Sequence, residues 1–157
     1  MITSTEIAPS FALAPFIRCY SLRRFNTGNA HMSKPWHASN DISIVYFFQD
    51  KPVHLLGPQG KVVKEGHFAG IVGNGSQFNG DMIFKGSYNF LEICFKPCGF
   101  FNLFKIPIHY ITYSIFDIDV IFDSSINLLH EKLICANGLS EMAKLADSYF
   151  INYLINS

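Results

Sequence analysis

The fifteen residues from Phe95 to His109 constrain the fold of this chain more than any other stretch, because the spacing of apolar residues changes there. Before this stretch, apolar residues form short runs broken by Gly, Pro and Asn, which is typical of strands and turns. After it, they recur at helical intervals. Pro97 removes a backbone donor and Gly99 permits a positive φ, so the segment favours a turn between a sheet and helices. The sequence therefore predicts an α+β chain with its strands first and its helices last.

The residues before the turn alternate between β-favouring runs and turn residues. A strand is predicted at 15–22, where period-two spacing places Phe16, Arg18 and Tyr20 on one face. The β-branched and aromatic run at 42–48 is the clearest central strand, and its two apolar faces indicate cover on both sides. Further strands are predicted at 53–56, 61–64, 67–73, 77–84 and 88–95. Turns at this regular spacing predict a small antiparallel barrel or sandwich.

The residues after the turn carry the helical part. A short helical turn is predicted around Phe100 and is ended by Pro107. Apolar residues at i, i+4, i+7 and i+11 from Phe122 predict an amphipathic helix that stops near Gly138, and Ser140 begins the last helix. The apolar stripe of the last helix is Met142, Leu145, Ala146, Tyr149, Phe150, Tyr153 and Leu154.

We therefore predict one structural domain over 1–157, with a β-barrel or sandwich at 1–97 and a helical segment at 98–157 packed on it. The helical segment should contain two longer helices plus short helical turns.

Charge and composition exclude some function classes. Lys plus Arg and Asp plus Glu are both 12, so the formal net charge is zero, and no basic cluster exceeds the pair Arg23 and Arg24. A nucleic-acid binder normally has a basic face, so we do not expect this chain to bind DNA by itself. The 49% hydrophobic content leaves an apolar excess that an oligomer interface or an apolar pocket would hide.

The cysteines and the chain start bear on the compartment. The four cysteines, Cys19, Cys94, Cys98 and Cys135, are scattered, and no second pair completes a zinc site with the C-x-x-x-C spacing of Cys94 and Cys98. We interpret them as buried free thiols. The chain start lacks the pattern of a signal peptide, and no apolar run is long enough to span a membrane. These features predict a cytoplasmic protein with no membrane partner.

The histidines raise one enzymatic alternative. None of the six forms His-x-His, although two barrel strands could bring His37, His54 and His67 together. A cupin-type metal-dependent enzyme is therefore the alternative function. The favoured prediction is that the chain is not an enzyme and has no catalytic residue, no metal site and no cofactor. The glycines at 73 and 75 mark a turn, because a strand rather than a helix follows them.

Two sets of residues are candidates for binding. Glu92 lies between Leu91 and Ile93 in a predicted strand, where it faces either a pocket or solvent. Aromatic residues on the strands and the preceding loops either line an apolar ligand cavity or form plain core. The predicted ligand-binding set is Tyr20, Trp36, Tyr46, Phe48 and Glu92. The stripe of the last helix serves either packing within the domain or a homodimer interface formed by Met142, Leu145, Tyr149 and Tyr153.

A wider pattern joins these elements. A strand ends in Phe-x-Pro-x-Gly, an apolar helical turn ends in Pro, and Asp residues precede a long helix. The residues in this pattern are Phe95, Pro97, Gly99, Leu103, Phe104, Ile106, Pro107, Asp117, Asp119 and Phe122, with Pro15, Phe16, Ile17 and Tyr20 before it and Leu129, Leu133 and Leu145 after it. The chain resembles the N-terminal domain of AraC-type transcription regulators, in the branch common among Bacteroidetes.

The resemblance implies a cupin-like β-barrel followed by helices, which serves ligand sensing or dimerisation and precedes a DNA-binding unit of two helix-turn-helix motifs. The implied partners are a small-molecule effector of unknown identity and a second copy of the chain. The sequence ends at Ser157 without a basic helix-turn-helix pair. We therefore expect DNA contact only through a domain that is absent here, and we expect an isolated domain rather than a natural orphan.

Overall fold

The computed structural model of the chain describes residues 2–35, 41–57, 59–73, 80–107, 109, 115–118 and 122–156. Within these ranges it contains ten strands, one 3-10 turn and three α-helices. The strands are β1 (Thr3–Ile7), β2 (Ile17–Asn26), β3 (Met32–Pro35), β4 (Ser43–Phe47), β5 (His54–Leu56), β6 (Val62–Glu65), β7 (Ala69–Val72), β8 (Asp81–Phe84), β9 (Ser87–Phe95) and β10 (Ile115–Asp117). The 3-10 turn is Phe11–Leu13, and the helices are α1 (Gly99–Phe104), α2 (Ser125–Ile134) and α3 (Leu139–Asn156).

The strands form two antiparallel sheets and not a closed barrel. Among the described residues, the large sheet has six strands in the order β1-β2-β9-β4-β7-β10, and the small sheet has four in the order β3-β8-β5-β6. A barrel has no edge strands, whereas here β1 and β3 end their sheets without pairing to each other. The predicted α+β class is confirmed, and the predicted closed cupin-like barrel is wrong. Because the two sheets stack face to face, the aromatic residues between them are buried even though the strands do not close into a barrel.

The long strands β2, β4 and β9 form the centre of the large sheet and set its two faces. Direct cross-strand partners share a face, and Ile44 lies opposite Ile93, which lies opposite Tyr20. One face packs against the helices through Tyr20, Leu22, Ile44, Tyr46, Leu91 and Ile93. The other face packs against the small sheet through Phe25, Val45, Phe47, Tyr88 and Phe90. The central strand β4 is therefore covered on both sides, as the apolar run at 42–48 predicts.

The start of β2 departs from simple alternation. The register with β9 shifts between Ile17 and Cys19, so that one extra residue, Arg18, is accommodated by a β-bulge. Tyr20 is buried against the helices, while the guanidinium of Arg18 is exposed and bonds Asp41 at 3.1 Å. The predicted shared face of Arg18 and Tyr20 is therefore wrong, because a bulge reverses the alternation that period-two spacing assumes.

In the turn before α1, the residue with a positive φ is not the glycine that the sequence predicts. The positive φ falls on Cys98, at 64°, and Gly99 is not among the residues with positive φ. Gly99 instead lies against the backbone of Phe16, the residue before β2, where a Cβ atom would collide with the carbonyl oxygen. Glycine is therefore needed at this position for close approach between α1 and the sheet.

The helical part packs on the large sheet around an aromatic core. Phe95 at the end of β9 makes edge contacts with Phe100, Phe104 and Phe150. The predicted stripe of α2 is confirmed, because Ile126, Leu129 and Leu133 are buried. The segment after 98 is not purely helical, however, since β10 pairs with β7 at the edge of the large sheet. Sequence spacing misses a three-residue edge strand of this kind.

Candidate functional site

Glu92 lies at the centre of a polar cluster on the sheet face that points away from the helices. Its Oε2 accepts a hydrogen bond from Ser43 Oγ at 3.1 Å, and its Oε1 lies 3.3 Å from Nη2 of Arg23. Arg23 Nε donates to Ser21 Oγ at 3.3 Å, and the hydroxyls of Ser21 and Ser4 lie 3.4 Å apart. We call these five residues, from β1, β2, β4 and β9, the Glu92 cluster.

The Glu92 cluster is a partly enclosed polar site. Ser21 is 0% exposed and Ser43 is 7% exposed, which is unusual for hydroxyl residues on a sheet. The side chains of Arg23 and Glu92 retain 31% and 22% exposure, so the charged groups are reachable from solvent. Buried hydroxyls need hydrogen-bond partners, and the Arg23–Glu92 pair supplies them. The polar groups of the cluster are therefore paired with one another, while the charged side chains of Arg23 and Glu92 remain partly open to solvent.

Two thiols lie beside the cluster. Cys19 on β2 and Cys94 on β9 are direct cross-strand partners, and both are buried. Burial raises the pKa of the Cys94 thiol, and the nearby Glu92 carboxylate raises it further. These two thiols are buried as predicted, whereas Cys98 and Cys135 are exposed and that part of the prediction is wrong.

The predicted aromatic site residues lie on the opposite face. The Tyr20 hydroxyl donates to Asp147 Oδ1 of α3 at 2.7 Å, and the Tyr46 hydroxyl donates to the carbonyl of Ile126 on α2 at 3.1 Å. Burial raises the pKa of both tyrosines well above the usual value. Phe48 is half-buried, with its ring 6.0 Å from that of His130.

The structure therefore divides the predicted ligand-binding set between the two faces of the large sheet. Glu92 faces the polar cluster, while Tyr20 and Tyr46 join the sheet to the helices. Trp36 lies outside the described residues.

The space between the two sheets holds little room. A cavity of about 40 Å³ lies there, lined by Val45, Phe47, Pro52, Leu55, Gly66, His67, Gly70, Val72 and Met82. That volume holds roughly one water molecule, since water occupies about 30 Å³ in the liquid. In the part of the chain that the structure describes, the sheet interior is packed core rather than a ligand cavity.

Three of the four predicted dimer residues line a groove between α2 and α3. This groove encloses about 580 Å³ and is lined by Asp123, Ser125, Leu128, Leu129, Lys132, Leu145, Ser148, Tyr149, Asn152, Tyr153 and Asn156. Ser125 Oγ and the Tyr149 hydroxyl lie 2.8 Å apart across it, and Leu128 on its rim is 55% exposed. Met142, by contrast, is 5% exposed and belongs to the core. Leu145, Tyr149 and Tyr153 are therefore reachable by a partner, and Met142 is not.

The histidines do not gather into a metal site in the described residues. Those residues contain no group of three or more His, Cys, Asp or Glu side chains that could hold a metal ion. His130 Nε2 bonds instead to the carbonyl of Phe47 at 2.9 Å, which joins α2 to β4. His37 lies outside the described residues. Among the described helices, none is long and apolar enough to cross a membrane.

Comparison with known proteins places this chain in a family. Residues 5–117, more than half of the chain, match the family model DUF6597, described as a domain of unknown function. The chain therefore belongs to the DUF6597 family. The match ends at the last residue of β10, so it covers strands of both sheets and stops before α2 and α3. A search of curated proteins found no match to the chain.

Sequence reasoning found Glu92 but missed its partners. Ser21 and Arg23 are two residues apart and share a face of β2, and Ser43 begins β4. Their contact with Glu92 depends on the register between β2, β9 and β4, which the sequence does not show. Asp147 was also missed, although an acidic residue within an apolar helix stripe is a signal for a buried partner.

Proposed function

We propose that the chain is a ligand-sensing and dimerisation domain of an AraC-type transcription regulator. In this proposal, a small molecule binds at the Glu92 cluster and a second copy of the chain binds along the α2–α3 groove. The two events are coupled, and they control a helix-turn-helix domain outside these 157 residues. The sequence pattern around Phe95 and Gly99 suggests the regulator family, and the contacts of the large sheet supply a physical route for the coupling.

One observation carries the proposal. Ser21 and Tyr20 are consecutive residues of β2 that point to opposite faces, so Ser21 joins the Glu92 cluster while Tyr20 bonds α3 through Asp147. The same Oδ1 of Asp147 accepts the backbone N–H of Ser10 at 3.1 Å. A ligand that moves β2 at the cluster would therefore also act on the helix that lines the groove. Such coupling requires that the ligand bind two arrangements of the helices with different affinity.

A second strand provides a parallel connection. Tyr46 on β4 bonds the backbone of α2, and its ring lies 5.1 Å from that of His130. Ser43, three residues earlier on β4, bonds Glu92. Both helices that line the groove are thus joined by hydrogen bonds to strands that also hold the cluster.

The sensing part is tested by thermal unfolding of the chain with a panel of small metabolites. We expect at least one compound to raise Tm saturably, because a ligand that binds only the native state stabilises it by mass action. Glu92→Gln should change that effect, because the Glu92 carboxylate holds the guanidinium of Arg23 in the cluster. Glu131→Gln, an exposed position on α2, is the matched control and should preserve it.

The dimerisation part is tested by sedimentation velocity on two variants of α2. Leu128 and Ile134 are similarly exposed, at 55% and 52%, but only Leu128 lines the groove. Leu128→Lys should weaken self-association by on the order of tenfold or more, since a buried unpaired charge opposes an apolar interface. Ile134→Lys should leave it unchanged. A chain that no compound stabilises and that stays monomeric would contradict the proposed function.

A further inference from the structure

The open seam between the two sheets forms a second cavity, distinct from the packed interior. The edge strands β1 and β3 do not pair, and a cavity of about 250 Å³ lies between them. We call it the seam cavity. It is lined by Ile2, Ser4, Arg23, Phe25, Met32, Lys34 and Phe90. By the volume of liquid water, it has room for roughly eight water molecules, or a ligand of about that many non-hydrogen atoms.

The floor of the seam cavity is apolar and fixed. Phe25 and Phe90 are 9% and 8% exposed, and their rings pack edge to face at 6.2 Å. Met32 of β3 packs against the same aromatic cluster. Ile2, which is 54% exposed, forms part of the outer rim. A flat or branched hydrocarbon group would therefore find apolar contacts here without a change in the core.

The charges at the rim of the seam cavity are cationic. Lys34 lies two residues from Met32 on β3, so both side chains point towards the large sheet. Its Nζ makes no hydrogen bond or ion pair with any residue that the structure describes. Arg23 uses Nε for Ser21 and Nη2 for Glu92, and its Nη1 has no hydrogen-bond partner among the described residues.

The local charge balance selects a monoanion. Arg23 and Lys34 line the cavity, and Arg23 is already paired with the Glu92 carboxylate at 3.3 Å, so Lys34 is the lining cation without a carboxylate partner among the described residues. Among the residues that the structure describes, those that line the cavity include no acidic side chain. Because Glu92 and Ser21 hold the guanidinium of Arg23 in place, the free Nη1 can receive a ligand oxygen without loss of the existing bonds.

We propose that the seam cavity binds a small apolar monoanion, a carboxylate with an aromatic or aliphatic body. The carboxylate lies between Arg23 and Lys34, the hydrocarbon rests on Phe25 and Phe90, and Ser4 Oγ is placed to donate a further hydrogen bond. This inference rests on the proposed sensing function and names its class of effector, since Arg23 belongs to both the seam cavity and the Glu92 cluster.

The test uses calorimetric titration of the chain with hexanoate and with phenylacetate. The amides hexanamide and phenylacetamide are neutral probes of nearly the same shape. We expect saturable binding of at least one carboxylate, and affinity weaker by on the order of tenfold or more for its amide. Acetate, which lacks the apolar body, should bind more weakly than hexanoate.

Variants at exposed positions locate the binding without disturbing the core. Lys34→Gln should weaken carboxylate binding several-fold, and Ile2→Glu, which adds a carboxylate to the rim, should abolish it. Lys61→Gln, at an exposed position outside the cavity lining, is the matched control and should bind as the wild type does.

Either of two results would overturn the inference. One is absence of binding by both carboxylates, and the other is binding that Lys34→Gln and Ile2→Glu leave unchanged. If a neutral compound raises Tm, and Lys34→Gln and Ile2→Glu do not change that rise, the seam proposal fails while the sensing function stands. If no compound of any class stabilises the chain and it stays monomeric, both fail.

Discussion

Asp147 is the residue at which the sheet and the last helix meet. Its Oδ1 accepts hydrogen bonds from the Tyr20 hydroxyl at 2.7 Å and from the Ser10 backbone at 3.1 Å. A carboxylate that bonds two groups from different parts of the chain fixes the position of α3 on β2. A hydrogen bond to a charged acceptor is stronger than one between neutral groups, so this contact contributes to stability as well as to coupling.

At this scale we predict the effect of Tyr20→Phe. The substitution removes the donor to Asp147 while the ring stays in its buried site, so the free energy of unfolding should fall by about 1–3 kcal/mol in urea titration. Tyr153→Phe is the control, because the Tyr153 hydroxyl has no hydrogen-bond partner among the described residues and its removal should change stability by less than about 0.5 kcal/mol. Equal stability of Tyr20→Phe and wild type would show that this bond does not hold α3.

Among the elements, the start of α1 comes into close contact with the chain just before β2. Gly99 begins α1 and lies where a Cβ atom would collide with the carbonyl oxygen of Phe16. Because α1 starts so close to the sheet, Phe100 and Phe104 pack against Phe95 at the end of β9. These contacts hold the helical part on the large sheet. The identity of one glycine therefore decides how the helical part docks.

Gly99→Ala is the corresponding prediction. The methyl group must displace backbone rather than a flexible side chain, so stability should fall by about 1–3 kcal/mol, measured by chemical unfolding. Asn102→Ala, at an exposed position of the same helix, should change it by less than about 0.5 kcal/mol. A Gly99→Ala protein as stable as the wild type would mean that α1 can move away from β2 without loss.

Local signals in the sequence predict the helices better than the sheets. The spacing of Ile126, Leu129 and Leu133 identifies α2 because the helical period depends only on neighbouring residues. Closure of a barrel depends on whether the edge strands of the two sheets, β1 and β10 in one and β3 and β6 in the other, pair with each other, which no local pattern encodes. The same limit applies to the site, since Glu92 is a visible polar residue in an apolar strand but its partners meet only through strand register.

Across the whole molecule, tyrosines respond together to alkaline pH. Burial raises the pKa of five tyrosine hydroxyls in the described residues, those of Tyr20, Tyr46, Tyr88, Tyr149 and Tyr153, above the usual value of 10.0. In the unfolded chain these groups ionise near pH 10, whereas in the folded chain they stay protonated to higher pH. The unfolded state then binds fewer protons, so alkali favours unfolding.

We therefore predict that the free energy of unfolding is independent of tyrosine ionisation below about pH 9 and falls steadily above about pH 10. Urea titrations across this range measure it. Tyr46→Phe should make the fall shallower, because one buried ionisable hydroxyl is removed. Constant stability up to about pH 11 would contradict the burial of these hydroxyls.

For the whole molecule, we propose that the large sheet joins a ligand site on one face to a dimer groove on the other. The most direct test is sedimentation velocity over a concentration series, on the chain alone and with the compound that raises Tm most. We predict a reversible dimer whose dissociation constant changes when the compound binds, and whose formation is weakened by Leu128→Lys but not by Ile134→Lys. A sedimentation coefficient that stays monomeric at every concentration, with and without compound, would contradict it.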